Sequence, residues 1–172
     1  MGSGSAEHVQ LAGPLGEWIA SRGCHLLTGG GKGVMASVSR AFHAVEDRLG
    51  RSIGVLPGAA KDGEIGAPPG YPNPWIEIPI RTHLPLSGER GRDPMSRNHL
   101  NVLSAEVIVA LPGGAGTRSE IELALEYGRP LICWFGDVES VAGLGSGRAP
   151  VAASFDELTD FIERKLPEGS SS

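Results

Sequence analysis

The sequence lacks any block of basic charge. Its 15 Lys and Arg are scattered and are outnumbered by 20 Asp and Glu, for a formal net charge of -5. A general nucleic-acid binder neutralises phosphates with clustered cations, so that function class is excluded. Long hydrophobic runs are missing as well. No stretch approaches the ~20 apolar residues needed to cross a bilayer, and no signal-peptide pattern opens the chain. Cysteine is scarce: Cys24 and Cys133 lie in apolar, strand-like surroundings and form no Cys-x-x-Cys pair. They read as two buried, reduced thiols of a cytoplasmic protein. No histidine pair has metal-ligand spacing, His25 and His99 included, so no metal site is expected. Aromatic residues make up only 5% of the chain, whereas glycine contributes 26 residues and proline 13. That balance argues against a helical bundle and for short elements joined by tight turns.

What is present is an alternation of strand and helix patterns. Val9 to Ser21 has a helical spacing, with Leu11, Leu15, Trp18 and Ile19 on one face and a stop at Gly23. Residues 24–28 form a short apolar strand that runs into Gly29-Gly30-Gly31-Lys32-Gly33. A helix then starts at Val34-Met35, continues through Ala41, Phe42 and Val45, and is closed by Gly50. Residues 52–57 are the next strand. Residues 58–74 are dominated by Gly, Pro and Ala and read as a long loop, mobile or a lid over a site. Residues 75–80 alternate and predict an edge strand. A polar loop at 87–93 precedes a helix with Met95, Leu100, Val102 and Leu103 among its apolar positions. Residues 107–111 (Val-Ile-Val-Ala-Leu) are an unbroken apolar run, as in a strand buried on both faces. The helix behind them closes at Gly128 and Pro130. Residues 130–135 are another strand, and Val151-Ala152 a final short one. A last amphipathic helix spans 155–166, with Ser154 as N-cap and Asp156 and Glu157 in its first turn. Together these predict one domain over residues 1–167, with 168–172 a disordered tail. The fold class is α/β, a Rossmann-like doubly wound parallel sheet with helices on both faces.

In such sheets a ligand lies beyond the carboxyl ends of the strands, where both glycine turns fall. The second turn is Pro112-Gly113-Gly114-Ala115-Gly116-Thr117-Arg118-Ser119-Glu120. Free N–H groups and the positive end of the helix dipole make such a turn an anion site. Its glycines permit close approach of a phosphate. Thr117 adds a hydroxyl, and Glu120 places a carboxylate one turn into the helix. Lys32 is followed by Gly33, not Ser or Thr, so the first turn is no P-loop. Gly114, Gly116 and Ser119 miss the third glycine of a dinucleotide fingerprint. The first turn reads either as a plain tight turn or as part of the same pocket. Tyr71 and Trp75 stand either as caps stacking on a base or, for Trp75, as core.

The Pro112-Gly-Gly-x-Gly-Thr-x-x-Glu120 motif, with Arg97 upstream, resembles the lonely-guy (LOG) family and its relatives. These include "possible lysine decarboxylase" proteins and molybdenum-cofactor carriers. Gly29-Gly30-Gly31-x-Gly33-Val34-Met35 is similar to that family's first glycine turn. The resemblance implies a Rossmann-like homodimer that binds a nucleoside 5′-monophosphate. In the LOG enzymes it implies a phosphoribohydrolase that cleaves the N-glycosidic bond to free base and ribose 5-phosphate. Carried over by motif position, Gly113, Gly114, Gly116 and Thr117 would hold the phosphate. Gly30, Gly31, Gly33, Met35 and Asn98 would complete the nucleotide pocket. Glu120 and Arg97 would be catalytic, the acid at the ribose and the cation near the departing base. No resident cofactor is implied. Arg97-Asn98 and Ser119 depart from the Arg-Lys and Glu of LOG enzymes and look more like the carrier branch. The alternative is therefore a non-catalytic nucleotide or molybdenum-cofactor carrier. Decarboxylation would need a buried Schiff-base lysine, and Lys32, Lys61 and Lys165 all lack that setting. The family also opens with an apolar strand before its Gly-Ser loop. Met1-Gly-Ser-Gly-Ser5 resembles that loop without its strand, so the sheet is expected to be one strand short or the chain truncated.

Overall fold

A computed structural model of the chain describes residues 1–61, 64–136, 141, 144 and 147–167. Helix α1 (Val9–Ser21) has the predicted bounds. Strand β1 (Leu26–Thr28) follows, and α2 (Val34–Ala44) begins where the glycine turn ends. Helices α1 and α2 pack against each other across Gly16, where a Cβ would stand 2.5 Å from the Val38 carbonyl. Strand β2 (Ser52–Leu56) runs parallel to β1, and β5 (Ile78–Arg81) lies parallel on its other side. Strand β6 (Ile108–Ala110), helix α4 (Ala115–Glu126) and β7 (Leu131–Cys133) form the second parallel unit. Helix α3 (Asn98–Ser104) precedes it, and α5 (Phe155–Lys165) closes the described chain. The Ser154 hydroxyl accepts the Glu157 N–H at 3.1 Å, the N-cap expected from sequence.

Alternate residues of β7, and of β6 with the Leu111 that follows it, feed two cores. Leu111 and Ile132 join Leu11, Leu15, Phe42 and Leu158 on the α1–α5 side. Ala110, Leu131 and Cys133 join Val102, Ile121 and Leu123 on the α3–α4 side. Helices on both faces of a parallel sheet make the predicted doubly wound α/β fold. Cys133, with no exposed surface, has its thiol pushed up by burial to about 11, whereas Cys24 is only half-buried.

Four expectations shift. Residues 58–74 carry a small antiparallel hairpin, β3 (Ala59–Lys61) with β4 (Glu64–Gly66). The edge strand starts at Ile78 because a turn precedes it, closed by the Ile76 N–H on the Asn73 carbonyl at 3.3 Å. Helix α2 ends at Ala44, before Gly50, because Val45 is already extended. In α3 only Val102 of the four apolar positions is buried: Leu100 and Leu103 face outward, and Met95 lies exposed ahead of the helix. The disordered tail predicted for 168–172 and part of the loop before Pro150 lie outside the described residues.

Candidate ligand site

The turn after β6 is built as the sequence suggests. Gly114 caps α4, whose first intrahelical bond runs from the Arg118 N–H to the Gly114 carbonyl. The N–H groups of the turn before Arg118 therefore have no helical partner. Gly113 is required sterically, because a Cβ there would overlap the Thr117 hydroxyl. Thr117 is buried, and its hydroxyl has no hydrogen-bond partner. Gly114, Gly116, Thr117 and Glu120 line one wall of a cavity of about 400 Å³.

Helix α3 supplies the facing wall. Arg97 is only 4% exposed, and its Nε has no partner. Its guanidinium fills the space that a side chain at Gly29 would occupy. Among the described residues no carboxylate pairs with it. A buried guanidinium without a counter-charge is costly in a folded chain and marks a place for an anion. One helical turn on, the Asn101 amide donates to a Glu120 carboxylate oxygen at 3.2 Å. That contact orients the carboxylate along the cavity wall. Asn98 is buried beside Gly91, in the space a side chain there would need. The Ser119 hydroxyl lies 2.9 Å from both the Gly88 and Ala115 carbonyls, tying the 87–91 segment to the start of α4.

The first glycine turn contributes Gly29 and Met35 to the lining. Gly30 and Gly33 have left-handed φ values of 71° and 62°. Gly30 packs on Leu56, Gly31 on Met35 and Tyr71, and Gly33 on the backbone of Ser3 to Ser5. Gly30, Gly31, Gly33 and Gly113 thus stand behind the wall and shape it without facing the cavity. Tyr71 lines the opening, whereas Trp75 does not and carries the Arg40 guanidinium 5.7 Å from its ring centre. Sequence reasoning missed Asn101, whose signal was its position four residues after Arg97 on one helix. It also missed Asn73, which is buried, donates to the Gly31 carbonyl at 2.9 Å and holds the Tyr71 segment against the turn. Lys32 and Lys165 are exposed, unlike a Schiff-base lysine. Among the described residues no cluster of His, Cys, Asp or Glu could hold a metal ion, and no helix is long and apolar enough to cross a membrane.

Residues 1–152, which include every residue of this cavity, match the model of the SLOG cluster4 family. The chain belongs to that family. Solved structures agree with this membership. The SLOG cluster4 chain is 30% identical to the Moco carrier protein of Chlamydomonas reinhardtii, with a TM-score of 0.67 over 96% of this chain and 94% of that one. It is 28% identical to the molybdenum cofactor binding protein of Rippkaea orientalis, with a TM-score of 0.66 over 95% of this chain and 94% of that one. None of the curated proteins compared matches it. The chain is therefore a LOG-like protein near the molybdenum-cofactor carrier branch.

Proposed function

We propose that this SLOG cluster4 protein is a binding protein for a small phosphorylated ligand of the molybdenum-cofactor type, held and released unchanged. The observation that carries the reading is Arg97, a 4%-exposed cation at the cavity with no carboxylate paired to it among the described residues. A phosphate monoester seated on the 113–117 turn would supply the missing negative charge. It would meet the free N–H groups at the start of α4 and the unpartnered Thr117 hydroxyl. Asn98 and Ser119, which resemble the carrier branch, support binding without turnover. The two named cofactor-binding relatives support a pterin-type cargo. A cytoplasmic homodimer is part of the proposal. Leu100 and Leu103 of α3, with Leu125 of α4 and Tyr127 just beyond it, leave apolar surface exposed for pairing.

The second reading is hydrolysis of a nucleoside 5′-monophosphate, and Glu120 favours it. Its carboxylate lies one turn beyond the phosphate turn, where a ribose would follow a 5′-phosphate. A carboxylate there would stabilise an oxocarbenium-like transition state, with Arg97 facing the departing base. Two measurements separate the readings. Incubation with AMP and related nucleotides, assayed for free base, is expected to give no more release than a Glu120→Ala control; release above that control would establish the hydrolase. Retention of molybdenum cofactor through gel filtration is the expected positive result. The absence of a thermal shift with either class of ligand would overturn both.

A further inference from the structure

Three buried polar atoms on residues that line the cavity have no hydrogen-bond partner among the described residues: Arg97 Nε, Thr117 Oγ1 and Asn101 Oδ1. Their needs differ. A guanidinium N–H only donates, and a threonine hydroxyl donates or accepts. The oxygens of a phosphate monoester accept, so they satisfy both. The Asn101 amide oxygen only accepts, and a phosphate dianion has no hydrogen to give it.

The Asn101 amide has no freedom to turn over. Its nitrogen donates to a Glu120 carboxylate oxygen at 3.2 Å. A carboxylate offers acceptors alone, so the NH2 group must face Glu120 and the oxygen must point elsewhere. Asn101 is only 9% exposed, so bulk water does not cover that oxygen. A buried acceptor left without a donor costs free energy, and a ligand that brings one is held more tightly for it.

The two helices fix how far this acceptor lies from the phosphate turn. Asn101 stands four residues beyond Arg97, the N-cap of α3, and Glu120 stands three beyond Thr117 on α4. At ~1.5 Å per residue, either spacing is roughly 5 Å along its helix. Because Asn101 and Glu120 touch, one short ligand can meet the anion-binding groups and this pair together.

We propose that Asn101 is a specificity-determining residue: its amide oxygen accepts a hydrogen bond from an O–H or N–H on the organic part of the ligand. The assignment rests on a phosphorylated ligand filling the cavity, and it narrows the class of that ligand. Phosphate monoesters with a donor roughly 5 Å from the phosphate are selected over those that offer acceptors alone. A sugar hydroxyl and a pterin ring N–H supply the same chemistry.

The test uses the parent chain, Asn101→Leu and Asn101→Ala. Affinities for AMP and 2′,3′-dideoxy-AMP are read by calorimetry, and retention of molybdenum cofactor by gel filtration. Dideoxy-AMP keeps the phosphate and the base but lacks both sugar donors. Each variant is expected to bind the donor-bearing probe at least about 10-fold more weakly, with dideoxy-AMP affinity and melting temperature unchanged. A loss for AMP assigns the donor to a sugar hydroxyl, and a loss of cofactor retention assigns it to a pterin ring. Both substitutions also release Glu120, so they are repeated in Glu120→Ala, where a further loss of about 10-fold is expected. No further loss there would make Asn101 a support for Glu120 alone and overturn the proposal. Unchanged affinity for every probe that the parent binds would overturn it while the phosphate reading stands. A fall in melting temperature together with dideoxy-AMP affinity would show a structural role and overturn it as well. No binding of any probe by the parent would overturn the phosphate reading, and the role of Asn101 with it.

Discussion

Arg97 concentrates the argument at the scale of single residues. Its position upstream of the glycine turn was legible through a family likeness, but its burial was not. Burial comes from Gly29, 68 positions away (97 − 29) in a different turn, which leaves room where any side chain would collide with the guanidinium. Replacing Arg97 with Ala removes a charge that no carboxylate among the described residues neutralises. Affinity for a phosphorylated ligand, read by calorimetry, should fall at least 10-fold while the melting temperature holds or rises. A fall in both would assign Arg97 a structural role. Glu77 is the opposite case, a carboxylate fully employed in the fold. Burial alone would raise it, but the Ser52 N–H and the Arg51 and Arg48 guanidinium groups outweigh that and bring it to about 2 from 4.5. A folded pKa below the unfolded one gives stability that is complete above about pH 4.5 and is lost as pH falls toward 2. Glu77→Gln should therefore cost about 2 kcal/mol in urea unfolding at pH 7. The difference from the parent should shrink steadily in titrations below pH 4.5.

At the scale of elements, the sequence was most legible where a pattern was complete within one segment. Helix α1 and the capped α5 fell where periodicity and Ser154 put them, because both signals are local. Ser154→Ala should lower stability by about 1 kcal/mol, measured by denaturant titration, through loss of the bond to Glu157. Helix α3 was read less well. Its apolar positions are outward more often than inward, and a pattern cannot tell a core face from a surface left open for pairing. The hairpin of β3 and β4 was missed for a related reason: Gly, Pro and Ala hide strand propensity, and pairing is decided by the partner strand. The turn between β6 and α4 is the element on which binding rests. Gly113→Ala would push the Thr117 hydroxyl out of place, and ligand affinity should drop while α4 stays folded by circular dichroism.

For the whole molecule, the doubly wound architecture was readable from the order of strands and glycine turns alone. How Asn73, Asn101 and Ser119 knit loops and helices around the cavity was not readable, since such bonds join residues far apart in the chain. If Leu100, Leu103, Leu125 and Tyr127 form a pairing face, sedimentation should find a dimer, and Leu103→Glu should shift it to monomer with ligand binding retained. Cys133 has a different use. Fully enclosed on β7, with a thiol that stays protonated far above neutral pH, it cannot meet an alkylating reagent while the sheet is closed. Its labelling rate is therefore a clock for the opening of β7, and the half-exposed Cys24, which needs no opening to react, sets the reagent's own pace. Read side by side, the two rates would give how seldom β7 opens in the folded protein.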